Sequence, residues 1–197
     1  ETIPVKNIDC SMSHEDIAAL VQPDRVHTSL YTSPAIFELE LERIFSRTWV
    51  WVAHESEIPQ AGSFKSAFVG TQPVIVVRDR KHDINVLLNR CRHRAATVCE
   101  HRKGRTNNFV CPYHGWGYGL DGSLRGVPHP QSYGDTLDKA SLGMVRLRTA
   151  VYAGMVFATF SEDIAPQEAF LGPAKKWIDQ FMKQGAGYAI EASEAQR

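Results

Sequence analysis

The alternation of hydrophobic and polar positions predicts a central run of short strands flanked by helical segments. From Trp49 to Phe160, short stretches rich in β-branched and aromatic side chains are separated by Gly, Asp and Asn, which is typical of strands joined by turns. Asp121-Gly122 is a strong hairpin signal among them. The predicted strands are 49–52, 64–69, 73–78, 84–88, 108–110, 118–120, 144–150 and 155–160. Strands this short and closely spaced predict a mainly β fold, a small antiparallel barrel or sandwich.

Helices are predicted on both sides of these strands. Ser13 is a suitable N-cap for a short first helix, and Ser33-Pro34 is a cap followed by a first-turn proline. A third helix is predicted over residues 174–183. One face of the second helix is apolar and is expected to pack on the strands; it carries Phe37, Leu41, Ile44 and Phe45.

The changes of pattern divide the chain into three parts. We predict a helical arm over residues 1–48, a β domain over 49–160, and the beginning of a further domain over 161–197. In the last part, the apolar side of the helix carries Trp177, Ile178 and Phe181, and a strand at 188–190 has no partner in the sequence. The tail is therefore expected to be weakly held.

Charge and composition exclude several classes of partner. Equal numbers of acidic and basic residues argue against nucleic-acid and membrane-surface binding. The sequence shows neither an apolar run of the ~20 residues that a membrane-spanning helix needs nor a secretory signal. Its 4 cysteines are too few for a secreted domain held by disulfides, so a reducing, cytoplasmic location is expected.

Two of the cysteines head segments that combine a thiol with an imidazole. Cys91-Arg92-His93 follows the predicted strand 84–88, and Cys111-Pro112-Tyr113-His114 follows the strand 108–110. Both segments therefore lie at strand ends, which can meet at one end of a sheet. Common structural zinc fingers take two thiolates from one turn and two imidazoles from another. Here each segment mixes the two kinds of ligand.

A binuclear cluster fits mixed segments, because one iron can take both thiolates and the other both imidazoles. In such a Rieske centre two neutral His replace two thiolates and raise the reduction potential above that of all-Cys ferredoxins. A zinc-stabilised interaction module is the competing interpretation. The predicted ligands of a Rieske [2Fe–2S] cluster are Cys91, His93, Cys111 and His114.

A second Cys-x-His segment, Cys99-Glu100-His101, competes with the first pair of predicted ligands. It follows only Val98 and not a strand end, and too little chain separates it from Cys111 to return across a sheet. Cys99 and Cys10 are therefore interpreted as free thiols. The surrounding stretch is basic. It is interpreted either as a solvated loop with a few internal ion pairs or as a positive collar that could attract an acidic electron-donor protein. The collar consists of Arg90, Arg92, Arg94, Arg102, Lys103 and Arg105.

These motifs resemble a known family. Cys91-x-His93-Arg94 and Cys111-Pro112-Tyr113-His114-Gly115-Trp116 are similar to the Rieske domain of bacterial aromatic-ring-hydroxylating oxygenases, in their large (alpha) subunit. The resemblance covers roughly residues 30–197. It is also carried by the flanking segments 37–49, 54–59, 73–78, 126–128 and 152–160.

The resemblance implies a function and partners. The chain is expected to accept electrons from a reductase or ferredoxin and to pass them to a mononuclear ferrous iron held by two His and a carboxylate. Because no His follows His129, that iron is expected only in a missing C-terminal part, with 161–197 as the start of its α+β catalytic domain. The full-length protein would form a homotrimer or an alpha3beta3 assembly. A free-standing Rieske ferredoxin is the alternative.

The loops depart from related patterns in two ways, and Tyr113 is also a candidate for tuning the cluster. Ala95 stands where the family usually has Gly, so a positive φ there would be strained. Ala96 and Tyr113 stand where respiratory Rieske proteins have a disulfide, which favours the lower-potential oxygenase class. The Tyr113 hydroxyl is a candidate hydrogen-bond donor to a cluster or cysteine sulfur.

Overall fold

A computed structural model describes residues 12–185; Cys10 and the predicted strand at 188–190 lie outside the described residues. It contains twelve strands. They are β1 (Val21–Gln22), β2 (Arg25–Val26), β3 (Val50–His54), β4 (Ser63–Val69), β5 (Gln72–Arg78), β6 (Ile84–Leu88), β7 (Lys103–Arg105), β8 (Phe109–Val110), β9 (Gly117–Tyr118), β10 (Leu124–Gly126), β11 (Arg146–Tyr152) and β12 (Met155–Thr159).

The helices of residues 12–185 are short and lie mainly at the two ends of this range. They are α1 (His14–Ala18), α2 (Ser29–Thr32), α3 (Pro34–Glu40), α4 (Gln167–Leu171) and α5 (Lys175–Gln184). A π-helical turn, Leu41–Phe45, extends α3, and 3-10 turns cover Glu55–Glu57, Pro130–Thr136 and Gly172–Ala174. Ser13 and Ser33 cap α1 and α3, as their sequences predicted.

The strands form one large and one small antiparallel sheet beside the isolated hairpin β1–β2. The large sheet has the order β3-β12-β11-β6-β5-β4-β7, and the small sheet has the order β10-β9-β8. All of these pairings are antiparallel. The prediction of a mainly β, antiparallel fold with N-terminal helices is therefore confirmed.

Strands with a hydrophobic pattern were predicted well, and strands without one were missed. The predicted strand 84–88 coincides with β6, and 73–78 differs from β5 by one residue. β7 was missed because Lys103-Gly104-Arg105 is exposed throughout and carries no apolar signal. It forms a strand only through its pairing with β4, a contact between distant parts of the chain.

Strands β5 and β6 separate two hydrophobic cores. Alternate side chains point to opposite faces of a strand, so Ile75 and Leu87 enter one core while Val76 and Val86 enter the other. The first, which we call the loop core, includes Cys91 and Cys111. The second, the scaffold core, consists of Val52, Ala53, Ile58, Val69, Val74, Val76, Val86, Leu147, Val156 and Ala158.

The packing face predicted for the second helix was partly wrong. Ile36 and Leu39 are the buried residues of α3, whereas Phe37 and Ile44 are each 48% exposed. The π-helical turn that begins at Leu41 accounts for Ile44, because its wider turn breaks the 3.6-residue register after α3. Leu41 and Phe45 do pack, against Gly70 in the turn between β4 and β5.

The start of the tail is held more firmly than its sequence indicated. The Arg148 guanidinium donates to the carbonyls of Ser161, Glu162 and Ile164 at 2.9–3.0 Å, and the Trp49 indole donates to Ala165. Farther along, Trp177 and Phe181 are about two-thirds exposed, as the apolar helix face predicted. Among the described residues, no helix combines the length and the apolar character needed to cross a membrane.

Candidate metal centre

Two loops of the same construction carry the predicted ligands. Loop 1 is residues 91–96, at the end of β6, and loop 2 is residues 111–116, between β8 and β9. In each loop the first residue, Cys91 or Cys111, donates its N–H to the carbonyl five positions later at 2.8 Å. Its own carbonyl accepts from the N–H four positions later, at 2.8 and 2.9 Å respectively. The two loops therefore present their thiols from matching backbone frames.

The fourth position after each cysteine has a left-handed backbone. Gly115 in loop 2 has φ +71°, and Ala95 in loop 1 has φ +56°. Glycine adopts this conformation freely, whereas alanine is strained by its Cβ. The strain foreseen at Ala95 is therefore present, and the shared loop geometry explains why the position requires it.

Ala95→Gly is expected to stabilise the protein. Relief of the left-handed strain is worth about 1–2 kcal/mol, and the added freedom of glycine in the unfolded chain offsets about 0.4–1 kcal/mol of it. Thermal unfolding should show a higher Tm. Gly115→Ala is the reciprocal change and should lower Tm, because its Cβ would also lie 3.0 Å from Pro128. An unchanged or lower Tm for Ala95→Gly would contradict this explanation.

The two loop thiols are buried in the loop core. Cys91 is 4% exposed and Cys111 is 1% exposed, and neither forms a disulfide. The hydroxyl of Tyr118, from β9, lies 3.2 Å from Cys91 Sγ and accepts the N–H of Arg92 at 3.1 Å. Burial first, and then the contact with Cys91, raise the pKa of Tyr118 well above its usual range. Tyr118 therefore keeps its proton, and its hydroxyl donates a hydrogen bond to Cys91 Sγ whenever that sulfur is a thiolate.

The two imidazoles lie together on the solvent side of the thiols. The rings of His93 and His114 are 4.7 Å apart, centroid to centroid, at 69°. His93 stacks on Trp116 at 5.0 Å, and Tyr113 stacks on His114 at 3.8 Å. His93 is partly exposed and His114 is exposed. Aromatic stacking thus fixes the orientation of both imidazoles before any metal is bound.

One nitrogen of His93 has no hydrogen-bond partner within the described part of the chain. Its Nδ1 is buried and accepts or donates no hydrogen bond, although buried polar atoms are normally satisfied. Burial, followed by the nearby His114 and Arg94, lowers the pKa of His93 and so favours its neutral form. A neutral imidazole with an unpartnered ring nitrogen is the form that binds a metal.

The four side chains fit a binuclear cluster better than a single ion. Across residues 12–185, no three His, Cys, Asp or Glu side chains converge as they would around one metal. The four predicted ligands instead form a buried pair of thiols near Tyr118 and an outer pair of imidazoles. Two ligands on each iron are what a Rieske [2Fe–2S] cluster requires, so the residues present fit that group.

Cys99-Glu100-His101, the second Cys-x-His segment, does not have the features of a ligand pair. Cys99 is buried in the loop core, and its thiol donates to the carbonyl of His101 at 3.8 Å. Burial raises the pKa of the Cys99 thiol, which keeps it protonated, and the side chain of His101 is exposed. The geometry therefore favours loops 1 and 2 as the ligand-bearing segments.

The sequence indicated Tyr113 as the tyrosine near a sulfur, but the structure places Tyr118 there. Tyr113 is 61% exposed, and its ring contacts His114, whereas Tyr118 is the tyrosine beside Cys91. The missed signal was strand register. Tyr118 pairs with Phe109 and Leu124, both buried, and so points into the loop core.

The loop surface is strongly basic. Arg90, Arg92 and Arg94 are exposed, and none of them forms an ion pair with a side chain that the structure describes. Unpaired cations beside the two imidazoles give this end of the molecule a positive potential. A partner with an acidic surface would be attracted to it.

Comparisons with known proteins agree with this geometry. Residues 48–150 match the family model described as the Rieske [2Fe-2S] domain. The chain is 39% identical over 169 residues to the biphenyl 2,3-dioxygenase subunit alpha of Rhodococcus jostii (strain RHA1), covering 85% of this chain and 37% of that protein. It is 39% identical to the anthranilate 1,2-dioxygenase large subunit of Acinetobacter baylyi, covering 85% and 36%.

A solved structure also resembles this chain over most of its length. Naphthalene 1,2-dioxygenase from Rhodococcus sp. superposes with a TM-score of 0.78 at 36% identity, over 85% of this chain and 40% of that one. The chain spans a little over a third of the length of the curated relatives it matches. The resemblance to oxygenase large subunits that the motifs indicated is confirmed. On its fold and on the match over residues 48–150, the chain belongs to the Rieske [2Fe–2S] domain family.

Proposed function

We propose that this chain is the electron-transfer portion of an aromatic-ring-hydroxylating dioxygenase alpha subunit. Its ligands to the cluster would be Cys91, His93, Cys111 and His114. The observation that carries the assignment is the buried, unpartnered Nδ1 of His93, which lies beside His114, while the same two loops carry two buried thiols. When bound, a Rieske cluster takes up and releases single electrons.

The residues of the chain have distinct parts in this function. Cys91 and Cys111 would bind from the loop core, where burial excludes water from the sulfurs. Tyr118 donates a hydrogen bond to Cys91, which stabilises negative charge on that sulfur. His93 and His114 occupy the exposed side, so an electron enters or leaves through a face that another protein can reach.

The exposed side of the two loops and the relatives together indicate the partners of this chain. A reductase or ferredoxin would supply electrons, and the unpaired Arg90, Arg92 and Arg94 favour a donor with an acidic surface. The electrons would go to a mononuclear iron held by a part of the alpha subunit outside this chain, within a homotrimer or an alpha3beta3 assembly. The β domain proposed for this role is residues 49–160, with 161–197 leading toward the catalytic domain.

Two alternatives have less support. A free-standing Rieske ferredoxin does not account for similarity to large subunits over 85% of this chain. A zinc module needs several ligands around one ion, and no such group exists within the described part of the chain. The zinc alternative also leaves unexplained the separation of the four side chains into a thiol pair and an imidazole pair.

Reconstitution of the chain with ferrous iron and sulfide tests the proposal. We expect the coloured absorption of a Rieske cluster and, after one-electron reduction, its EPR signal. Because the loops lack a disulfide, the midpoint potential should lie near the low end of the Rieske range, at about −150 mV. A chain that binds one zinc and forms no cluster would refute the function. A potential well above zero would refute the oxygenase class.

A further inference from the structure

The two ligand loops share a backbone frame but are closed at their bases in different ways. Loop 2 lies between β8 and β9, whose pairing of Val110 with Gly117 closes it as a short hairpin. Loop 1 follows β6, which ends at Leu88, and the chain that returns over residues 97–102 forms no strand. Loop 1 therefore lacks the backbone ladder that holds its counterpart.

A single side chain takes the place of that ladder. Asn89 follows β6 directly and is 3% exposed. Its Oδ1 accepts the N–H groups of Val98 and Cys99 at 3.1 and 2.9 Å, and its Nδ2 donates to the carbonyl of Cys99 at 2.7 Å. One carboxamide thus satisfies three backbone groups of the returning segment, two by accepting and one by donating. The carboxamide of asparagine has an N–H donor and a C=O acceptor, as a peptide group does, so it can both donate and accept hydrogen bonds.

Asn89 is itself anchored to the sheet. Its backbone N–H donates to the carbonyl of Pro73 in β5 at 2.9 Å. One residue thus connects the large sheet, through its main chain, to the segment returning from loop 1, through its side chain. Cys91 lies two positions after Asn89, and Ala96, which accepts the N–H of Cys91, lies two positions before Val98.

We propose that Asn89 is a positioning residue for the cluster, holding loop 1 so that Cys91 and His93 meet the ligands of loop 2. The inference rests on the proposed function, because it assumes that these residues bind the cluster. Without the hydrogen bonds of the Asn89 side chain, three buried backbone groups of Val98 and Cys99 lose their partners, and the base of loop 1 opens. The thiol of Cys91 would then shift relative to Tyr118, which stands on β9 and belongs to the other sheet.

The test compares Asn89→Ala with Asn85→Ala in the reconstituted 197-residue chain. Asn85 is a matched control, since it is fully buried on β6 and donates to Asp79 at 3.2 Å, at the end of the strand away from loop 1. For Asn89→Ala we expect altered EPR g-values, a shifted midpoint potential and faster loss of the cluster. Asn85→Ala should keep the wild-type spectrum and potential.

Hydrogen exchange gives a readout that does not depend on the cluster. The amides of Val98 and Cys99 should exchange about tenfold faster or more in Asn89→Ala, since each loses a buried hydrogen bond. If this variant fails to fold, Asn89→Asp is the second variant. It keeps both acceptor bonds but sets a carboxylate oxygen against the Cys99 carbonyl in place of the donor, so it should show the same changes.

A stability control separates positioning from general damage. Val156→Ala weakens the scaffold core, which contains no loop residue, and should lower Tm without changing the spectrum or the potential. Wild-type spectrum, potential and cluster lifetime in a folded Asn89→Ala or Asn89→Asp would overturn the inference. Failure of the wild-type chain itself to form a cluster would instead overturn the proposed function.

Discussion

Replacing any one of the four proposed ligands is expected to abolish the Rieske signals of the reconstituted chain. In Cys91→Ser, Cys111→Ser, His93→Ala and His114→Ala, one iron keeps a single protein ligand, and the cluster cannot be held in its two-plus-two arrangement. The loss should be all-or-none in visible absorption and EPR. Bound iron and sulfide, measured chemically, should fall together with the spectrum.

The matched control for this series is Cys99→Ser. Cys99 is buried in the same core, but its thiol is directed to the carbonyl of His101 and its pKa is raised by burial. We expect this variant, and His101→Ala, to keep the full spectrum. Loss of the cluster from Cys99→Ser, together with its retention in Cys91→Ser, would show that the wrong Cys-x-His segment was chosen.

Tyr118→Phe is expected to lower the midpoint potential while leaving the cluster in place. Reduction adds a negative charge, and the hydrogen bond that Tyr118 donates to Cys91 stabilises the more negative state. Its loss makes reduction harder. The shift should be on the order of 50 mV, because ~1.4 kcal/mol corresponds to ~59 mV for one electron. A redox titration followed by absorption measures the change.

Tyr113→Phe serves as the comparison for that experiment. The Tyr113 ring stacks on His114, and phenylalanine preserves this contact, while the removed hydroxyl belongs to a largely exposed side chain. Its potential should therefore stay within a small fraction of the Tyr118→Phe shift. Equal shifts in the two variants, or a higher potential in Tyr118→Phe, would disprove the role given to the buried hydroxyl.

The predicted ligand segments were accessible from sequence because they depend on local spacing. Cys91 and His93 directly follow an apolar strand, and that strand, 84–88, coincides with β6. Ala95 was also recognisable, since a single residue in place of glycine raised the question of a positive φ, which the structure shows. Each of these predictions needed only a few neighbouring residues.

Features that depend on distant contacts were not accessible in this way. Neither the role of Tyr118 nor the side-chain hydrogen bonds of Asn89 can be predicted from residue spacing, because each depends on how a strand meets a remote segment. The exposure of Ile44 had a different cause, a π-helical turn that no periodic pattern reveals. Where a side chain is positioned by non-local pairing, a single sequence carries too little information.

The division of the interior by β5 and β6 has a consequence for how the protein matures in the cell. Every buried residue of the scaffold core lies outside the two ligand loops, so that half can assemble without iron. Only the loop core includes the ligand thiols. We therefore expect the scaffold core of the newly made chain to pack first, and the loop core to become fully ordered only when the cluster is inserted. A chain made without iron would then keep an intact scaffold core beside a less ordered loop core.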